Sequence, residues 1–321
     1  MRSTTFADVW TRKSTNGRSV SSARPLPVNW PWLRFQLLAW VAPKVALDRA
    51  IERFVTPPPP RAASARVPQL PGLSSDAFRV KVATAFGGMA ENTDLDVAVW
   101  GRGPAVYLLH GWGGRASQWS SFVEPLAQAG LMVVAFDAPG HGASPAPRTS
   151  IPHFSAALAA VVDSVGPARA IVGHSMGGAA AALALARGLP AERIALLGSP
   201  ADPTEIFAGF LARIGLPRHL HAAIREKFEA EYDFDSSELL VRPPEHAPAT
   251  PALVVHDRDD REVPYASADR IVRAWPAATL VTTTGLGHQR LLRDQEVIRK
   301  VVAFAAVAGS RGFSGSTPAR P

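Results

Sequence analysis

One serine in this chain lies in a setting suited to a nucleophile. Ser175 has glycine two positions before it, at Gly173, and two positions after it, at Gly177. A short apolar stretch precedes the motif and an alanine-rich stretch follows it, which predicts a tight turn between a strand and a helix. Such a turn exposes the hydroxyl at a helix N-terminus, where free N–H groups favour negative charge. The alternative is a glycine-rich turn that carries an incidental serine.

A serine hydroxyl needs a base to activate it, and the favoured candidate is His288. This histidine lies in a glycine-flanked loop after the last apolar strand and before the last helix, where sites of open α/β sheets collect. The chain has nine histidines, so residue type alone decides little. His110, His141 and His174 also fall near the predicted site, and for each the alternative is a packing or loop-anchoring residue.

An imidazole that acts as a base needs an acid to hold its tautomer. Three aspartates follow one apolar strand, at Asp257, Asp259 and Asp260. Their spacing alone does not select one of them. The alternative for two of the three is a solvated loop in which carboxylates pair with Arg258 and Arg261.

A glycine-rich turn ends another apolar strand. The stretch from His110 to Gly114 frees backbone N–H groups to point at one spot. Together with the N–H group that follows the serine, these groups are suited to bind the oxyanion of a tetrahedral intermediate. The alternative is a tight exit from the strand.

The elements that must position these residues alternate between strand and helix. We expect strands at 78–85, 95–100, 105–109, 131–136, 170–172, 194–197, 253–255 and 279–283. We expect helices at 117–129, 152–165, 176–187, 266–275 and 295–307. The first two strands form an antiparallel pair around Gly87 and Gly88. Apolar strands between helices predict an α/β fold, a mostly parallel central sheet flanked by helices on both faces.

The domain organisation follows from where this alternation starts, stops and is interrupted. Residues 73–309 form the main domain, and 201–247 within it carry only helical signals, at 206–214 and 220–230, which predicts a small helical cap. We expect a disordered leader at 1–28, an amphipathic helix and Pro-rich linker at 29–72, and a flexible tail at 310–321.

The helix predicted at 29–55 has two interpretations. Asn29 is a candidate N-cap, Pro31 fits the first turn, and Pro43 predicts a bend. The favoured interpretation is a helix that packs on the main domain or on a second subunit. The other is a basic, Trp-containing helix that makes peripheral contact with an anionic membrane surface. It is too short and too often interrupted by charge to cross a membrane.

Composition narrows the function classes. The chain has no cysteine, which excludes disulfides, thiolate metal sites and cysteine nucleophiles. The net charge of +7 is concentrated in residues 1–66, which hold 11 basic and 3 acidic residues, while the remainder is near neutral. Since this basic excess lies in a tail without an aromatic-interleaved basic face, we expect no nucleic-acid partner.

Taken together, these motifs resemble the α/β-hydrolase superfamily from about Phe78 to Phe304. The resemblance is carried by the His110–Gly114 turn, the stretch from Phe136 to Gly142, the Ser175 turn, the stretch from Asp260 to Pro264, and Gly287-His288. Their order and strand placement agree with the family. The chain departs from it at His256-Asp257, where many members have His-Gly, and in its short cap.

The resemblance implies a role for each site residue. Ser175 is the nucleophile, His288 the base and Asp260 the acid, with Asp257 or Asp259 as alternative acids. The N–H groups of Trp112 and Met176 form the oxyanion hole. The remaining residues expected to contact substrate are His110, Gly111 and His174.

A serine nucleophile favours acyl transfer, so we expect a serine esterase or lipase-like enzyme acting on a small acyl ester. A thioesterase, an amide hydrolase and a non-catalytic binding protein of the same fold are the alternatives. No metal or organic cofactor is expected, and the expected location is the cytoplasm, with contact to a membrane left open. Aromatic and aliphatic residues expected to line an acyl pocket, or otherwise to form the cap core, are Trp112, Phe207, Phe210 and Leu211.

Overall fold

The computed structural model describes residues 30–58, 75–86, 89–232 and 234–307. Their centre is one eight-stranded sheet with the order β1-β2-β4-β3-β5-β6-β7-β8. The strands are β1 (Ser75–Phe86), β2 (Met89–Trp100), β3 (Ala105–Leu109), β4 (Met132–Phe136), β5 (Ala168–His174), β6 (Ile194–Leu197), β7 (Ala252–Asp257) and β8 (Ala278–Thr283). Strands β3 to β8 are parallel, while β2 pairs antiparallel with both β1 and β4.

Ten α-helices accompany this sheet in the described residues. They are α1 (Trp30–Val41), α2 (Pro43–Val55), α3 (Ser120–Gln128), α4 (Ile151–Val165), α5 (Met176–Ala186), α6 (Pro203–Ile214), α7 (His221–Tyr232), α8 (Ala266–Ala274), α9 (Gly287–Arg290) and α10 (Gln295–Ala306). Short 3-10 turns lie at Ala116–Trp119, Arg218–Leu220 and Ser236–Leu239. In the described ranges, every helix is too short or too polar to span a bilayer.

Two apolar clusters cover the two faces of the sheet. One contains Phe154 and Trp275, the other Trp119 and Phe122, and all four side chains are fully buried. The central strand β3 is buried at every position, because alternate side chains enter opposite clusters. A continuous apolar run is therefore what this position in the sheet requires.

The predicted fold is confirmed, with differences mainly at element ends. Strands β3 and β6 have the predicted bounds, whereas β5 and β7 extend further, to His174 and Asp257. The helix predicted from 117 begins as a 3-10 turn before α3. His288, predicted on a loop, lies in the one-turn helix α9. Gly87 and Gly88, Asn29, most of the predicted linker, the leader and the tail lie outside the described residues.

The N-terminal helix is two helices, not one bent helix. The helix is interrupted at Ala42, directly before Pro43, because proline cannot supply the N–H that a continuous helix needs. Helix α2 buries Ala46, Leu47, Ala50, Ile51 and Val55 in a third cluster, which it shares with cap helices α6 and α7. The packing interpretation therefore holds for α2. We refer to α1, α2, α6 and α7 together as the helical cover.

Candidate active site

Ser175 occupies a strained turn between β5 and α5. Its backbone has φ 54° and ψ −124°, and it is the one non-glycine residue with positive φ in the described ranges. Such a conformation costs of order 1–3 kcal/mol, so the surrounding structure must hold it. The Ser175 N–H donates to the Leu197 carbonyl at 2.9 Å, and the Ser175 carbonyl accepts from the Gly178 N–H at 3.0 Å.

The glycines of this turn are required by the close approach of other backbone segments. A Cβ atom on Gly177 would lie 2.4 Å from the carbonyl oxygens of both Leu109 and His110. A Cβ atom on Gly173 would lie 2.5 Å from the Gly178 Cα. Since neither contact can be relieved by a side-chain rotation, only glycine fits, and the predicted strand–turn–helix setting is confirmed.

His288 and Asp260 form a buried pair. His288 Nδ1 lies 2.7 Å from Asp260 Oδ2, and the other carboxylate oxygen of Asp260 accepts from the N–H groups of Glu262 and Val263 at 2.8 and 2.9 Å. Burial favours the neutral acid, but the hydrogen bonds from His288 and these N–H groups outweigh it and lower the pKa of Asp260. Asp260 is therefore a carboxylate near neutral pH, and the proton of the imidazole is placed on Nδ1.

The other two aspartates bind backbone. Asp257 accepts from the Thr283 hydroxyl and from the N–H groups of Leu286 and Gly287, all within 3.0 Å. Burial raises the pKa of Asp257, and the bonds from Thr283, Gly287 and Leu286 more than offset it, so the pKa is lowered overall. Asp259 accepts from the Gly285 N–H at 2.8 Å. Both therefore anchor the segment that carries His288.

The alternative for two of the three aspartates, a solvated loop in which they pair with arginine, does not describe these residues. Arg258 lies over the Tyr265 ring, with its guanidinium carbon 4.7 Å from the ring centroid. Neither Arg258 nor Arg261 forms an ion pair with a carboxylate in the described ranges. The aspartates have backbone donors instead, which satisfy a carboxylate without fixing a long side chain.

The serine turn and the imidazole meet at one edge of the sheet. His174, next to Ser175, donates from Nε2 to the His288 carbonyl at 3.0 Å, and the two imidazole rings lie 4.6 Å apart. No hydrogen bond joins the Ser175 hydroxyl to His288 within the described part of the chain. Serine hydroxyls rotate freely, and catalytic hydrogen bonds commonly tighten only when substrate binds.

The turn after β3 runs directly against the serine. A Cβ atom on Gly111 would lie 2.9 Å from the Ser175 Cβ. The N–H groups of Trp112 and Met176 donate no hydrogen bond to any described residue, whereas the Gly113 N–H donates to His141 and the Gly114 N–H to the Gly111 carbonyl. Among the donors of this turn and of the first turn of α5, the two predicted for the oxyanion hole are thus unengaged.

Two buried histidines fasten this turn to the neighbouring loop. His110 Nε2 accepts from the Ala138 N–H at 3.0 Å, so its proton lies on Nδ1, 2.8 Å from the Gly111 carbonyl. His141 Nε2 accepts from the Gly113 N–H at 2.9 Å, so its Nδ1 carries the proton toward the Pro139 carbonyl. Burial lowers the pKa of each imidazole to about 4, so both are neutral near pH 7.

The expected substrate contacts of His110 and His174 do not fit this geometry. Both side chains are buried, and both use ring nitrogens on backbone groups of the site. Burial lowers the pKa of His174 to about 3. The loop-anchoring alternative therefore describes them better, while a substrate contact through the backbone of Gly111 stays a prediction.

The residues proposed for an acyl pocket separate into two groups. Phe207 and Leu211 are buried in the cap core, where the Phe54 ring of α2 lies 4.6 Å from the Phe207 ring and 5.1 Å from the Phe210 ring. Trp112 is exposed beside His141, with ring centroids 5.6 Å apart. The cap-core alternative therefore holds for Phe207 and Leu211, and Trp112 is left as a candidate wall of the site.

Several residues at this site are not predicted by the sequence motifs. The Glu262 carboxylate lies 3.9 Å from His288 Nε2, the nitrogen that faces away from Asp260. His256 is fully buried and donates from Nε2 to the Val263 carbonyl at 3.0 Å, which holds the loop of the acid. For Glu262 the sequence signal is its position directly before the Val263-Pro264 pair.

The segment after α2 also reaches the rim of the site. A Cβ atom on Gly140 would lie 2.7 Å from Pro57 Cγ, and one on Gly113 would lie 3.3 Å from Pro58 Cγ. The Thr149 N–H donates to the Val55 carbonyl at 2.8 Å, which fixes the end of α2 nearby. These contacts cross more than 50 residues of sequence, so no local pattern predicts them.

Comparisons with known proteins agree with this architecture. A family profile described as the alpha/beta hydrolase fold matches residues 104–214, and one described as a TAP-like protein matches residues 232–305. A 2-hydroxy-6-oxononadienedioate/2-hydroxy-6-oxononatrienedioate hydrolase of Dechloromonas aromatica (strain RCB) is 31% identical over 235 residues, which cover 57% of this chain and 80% of that relative. The chain therefore belongs to the α/β-hydrolase superfamily, and hydrolysis is the general activity that this membership supports.

Two further matches have narrower scope. A pimeloyl-(acyl-carrier protein) methyl ester esterase of Methylococcus capsulatus is 37% identical over 108 residues, 33% of this chain and 41% of that relative. An esterase from Exiguobacterium antarcticum superposes with a TM-score of 0.53 at 18% identity, covering 71% of this chain and 99% of that structure. At such an identity, the superposition bears on the fold alone.

Proposed function

We propose that the protein is a serine hydrolase that cleaves carboxylic esters through Ser175, His288 and Asp260. The observation that carries the proposal is the 2.7 Å contact between His288 and Asp260, located at the sheet edge where the Ser175 turn also ends. A buried acid, an imidazole with a fixed tautomer and a serine on a strained turn are the parts that activate a weak nucleophile.

In the proposed first step, Ser175 Oγ attacks the carbonyl carbon of the ester while His288 Nε2 takes the hydroxyl proton. The Asp260 carboxylate stabilises the resulting imidazolium through Nδ1–H. The N–H groups of Trp112 and Met176 hold the oxyanion of the tetrahedral intermediate, a contact typically worth about 3 kcal/mol per donor. The intermediate collapses, and the alcohol leaves with the proton from Nε2.

In the second step, His288 Nε2 takes a proton from water, and the hydroxide attacks the acyl group on Ser175. Collapse of the second tetrahedral intermediate breaks the bond to Ser175 Oγ, which regains the proton from Nε2. The products are a carboxylic acid and the free enzyme. Each atom in this scheme comes from the ester, one water molecule or the three side chains.

Charge at the site favours an uncharged acyl group. The relative from Dechloromonas aromatica is named for dioate substrates, which carry two carboxylates. Here the Glu262 carboxylate lies 3.9 Å from His288 Nε2, where the leaving group must receive its proton. The Glu262 carboxylate repels a second anion near this position, so we infer a neutral acyl chain. The proposal shares with the name of the Methylococcus capsulatus relative only the type of bond, an ester.

The test is hydrolysis of p-nitrophenyl esters from acetate to palmitate by the full chain and by Ser175→Ala. Wild type is expected to cleave short or medium esters, and the variant to lose about three orders of magnitude or more in kcat. Ser164→Ala is the matched control, because this exposed hydroxyl on α4 donates to the Ala160 carbonyl of its own helix.

Acyl thioesters and anilides, assayed in parallel, separate the alternatives with the same residues. Faster cleavage of a thioester or amide than of the matched ester would replace ester hydrolysis as the reaction. A folded wild type inert toward all three bond types would leave the non-catalytic binding protein as the better interpretation.

A further inference from the structure

Helix α1 has an apolar surface on the side that faces away from the protein. Trp40 is 82% exposed and Leu37 is 62% exposed, and the neighbouring side chains of Leu33, Val41 and Val45 are exposed as well. The opposite side of α1 packs Phe35, Leu38 and Ala39 against the other helices of the helical cover. A surface helix normally presents polar residues outward. Helix α1 departs from this pattern, because it carries apolar residues on both sides. We call Leu33, Leu37, Trp40, Val41 and Val45 the outer patch.

Charges around the outer patch are sorted by sign. The two acidic residues of α2 are paired with the body of the protein, Asp48 with Lys227 at 3.0 Å and Glu52 with Arg148 at 2.7 Å. The basic residues of α1 and α2 are all exposed and form no ion pair with any described residue; they are Arg34, Lys44, Arg49 and Arg53. The surface that carries the outer patch is therefore left positively charged.

The adjoining sequence strengthens this sign. Residues 1–29 contain five basic residues and one acidic residue. Few of these 29 residues are large and apolar, so they offer little surface that could cover the outer patch. A second copy of the same surface would bring like charges together, which disfavours association through this face.

From this combination we propose that the outer patch docks on an anionic lipid surface. Exposed Trp and Leu side chains enter the boundary between headgroups and acyl chains, while the unpaired basic residues meet the lipid phosphates. Tryptophan is well suited to that boundary, because its ring is apolar and its N–H is polar. The contact is peripheral, and the ion pairs of Asp48 and Glu52 hold α2, and α1 with it, on α7 and on the segment before α4.

The experiment measures sedimentation of the full chain with vesicles of phosphatidylcholine alone or of equal parts phosphatidylcholine and phosphatidylglycerol. Wild type is expected to bind the anionic vesicles and to dissociate as salt is added. The double variant Leu37→Ser/Trp40→Ser is expected to bind about 100-fold more weakly or worse, because both side chains lose their burial in lipid. The variant Arg34→Ala/Lys44→Ala is expected to bind about 30-fold more weakly, at roughly fivefold for each basic residue.

Matched controls test whether position matters beyond residue type. Phe78→Ser removes an exposed ring from β1, and Arg218→Ala/Arg225→Ala removes two exposed charges from the cap, so both are expected to bind vesicles as wild type does. Thermal unfolding midpoints show whether each variant is folded. Ester hydrolysis in the absence of vesicles does not enter the test.

Two results would overturn the proposal. One is a folded wild type that does not bind anionic vesicles, or whose affinity for them equals that of Leu37→Ser/Trp40→Ser. The other is a wild type that is a dimer in light scattering and does not bind vesicles, while the same double variant is a monomer. The patch would then be covered by a second copy.

Discussion

The loops of the candidate site and the helical cover are held by different forces. The site loops, at 110–114, 137–142, 257–264 and 284–288, are joined by buried carboxylates and neutral imidazoles that bind backbone groups. The helical cover is joined by aromatic rings around Phe54 and Phe228 and by exposed ion pairs. Buried polar bonds have strict geometry, whereas apolar contacts tolerate repacking.

This difference indicates where each region is sensitive. A change of one proton or one carboxylate in the site loops leaves a buried donor or acceptor without its partner. A substitution inside the helical cover alters the packed volume of its core. A substitution of a side chain that points outward changes the free energy of unfolding little. We therefore expect the largest effects from changes in the site loops.

Asp260→Asn is expected to reduce kcat for the preferred ester by about 10⁴-fold. An amide offers its NH₂ group to Nδ1 and favours the wrong imidazole tautomer, so Nε2 no longer accepts a proton. Steady-state kinetics give the measurement. Asp259→Asn is the matched control, since the Asp259 carboxylate accepts from the exposed Gly285 N–H and does not contact His288 in the described ranges, and we expect it to lose less than about tenfold. Equal losses in the two variants would contradict the assignment of the acid.

Acidification from pH 7 to pH 5 is expected to destabilise the fold by about 4 kcal/mol through His110 and His141 together. Their pKa values are lowered to about 4 by burial, whereas an unfolded imidazole has the usual value near 6.5. Between these values the unfolded chain binds more protons, so stability is present above pH 6.5 and is lost as pH falls toward 4.

Denaturant unfolding at several pH values measures the slope of the free energy of unfolding against pH. His141→Asn is expected to remove about half of the contribution of the pair, while the exposed His219→Asn serves as the control. An unchanged slope in His141→Asn would show that the imidazole is not held neutral by the loop it fastens.

Ile51→Ala is expected to lower the free energy of unfolding by about 3 kcal/mol, because it leaves a cavity where α2 packs on α6 and α7. Leu37→Ala, on the outward side of α1, is expected to change it by less than about 0.5 kcal/mol. Urea unfolding compares the two variants. If they were equally mild, α2 would not be part of the packed structure.

Glu262→Gln is expected to have the smallest effect. It should raise kcat/KM for the mono-p-nitrophenyl ester of succinic acid about threefold relative to p-nitrophenyl butyrate, because an exposed like charge contributes less than about 1 kcal/mol. The ratio should return toward the wild-type value in high salt. Glu226→Gln, an exposed residue on α7, is the control, and a ratio changed as much by Glu226→Gln would remove Glu262 from substrate selection.

The sequence predicted those parts of the site that depend on local chain geometry. The Ser175 turn could be recognised because the glycines that it needs are adjacent in the chain, and β3 because burial on both faces demands a continuous apolar run. The roles of Asp257 and Asp259 were not predictable from spacing, since their partners lie 26 to 30 residues away. The contacts of Pro57 with the Gly140 turn are tertiary for the same reason.

Fluorophosphonates react with activated serine hydroxyls, so the intact mass of the protein after such treatment tests directly whether Ser175 is the nucleophile. We expect one phosphonyl adduct in wild type, mapped to Ser175 by peptide sequencing, and none in Ser175→Ala. We also expect slow labelling of Asp260→Asn. An adduct on another serine, or a folded wild type that stays unlabelled, would contradict the assignment of Ser175 as the nucleophile.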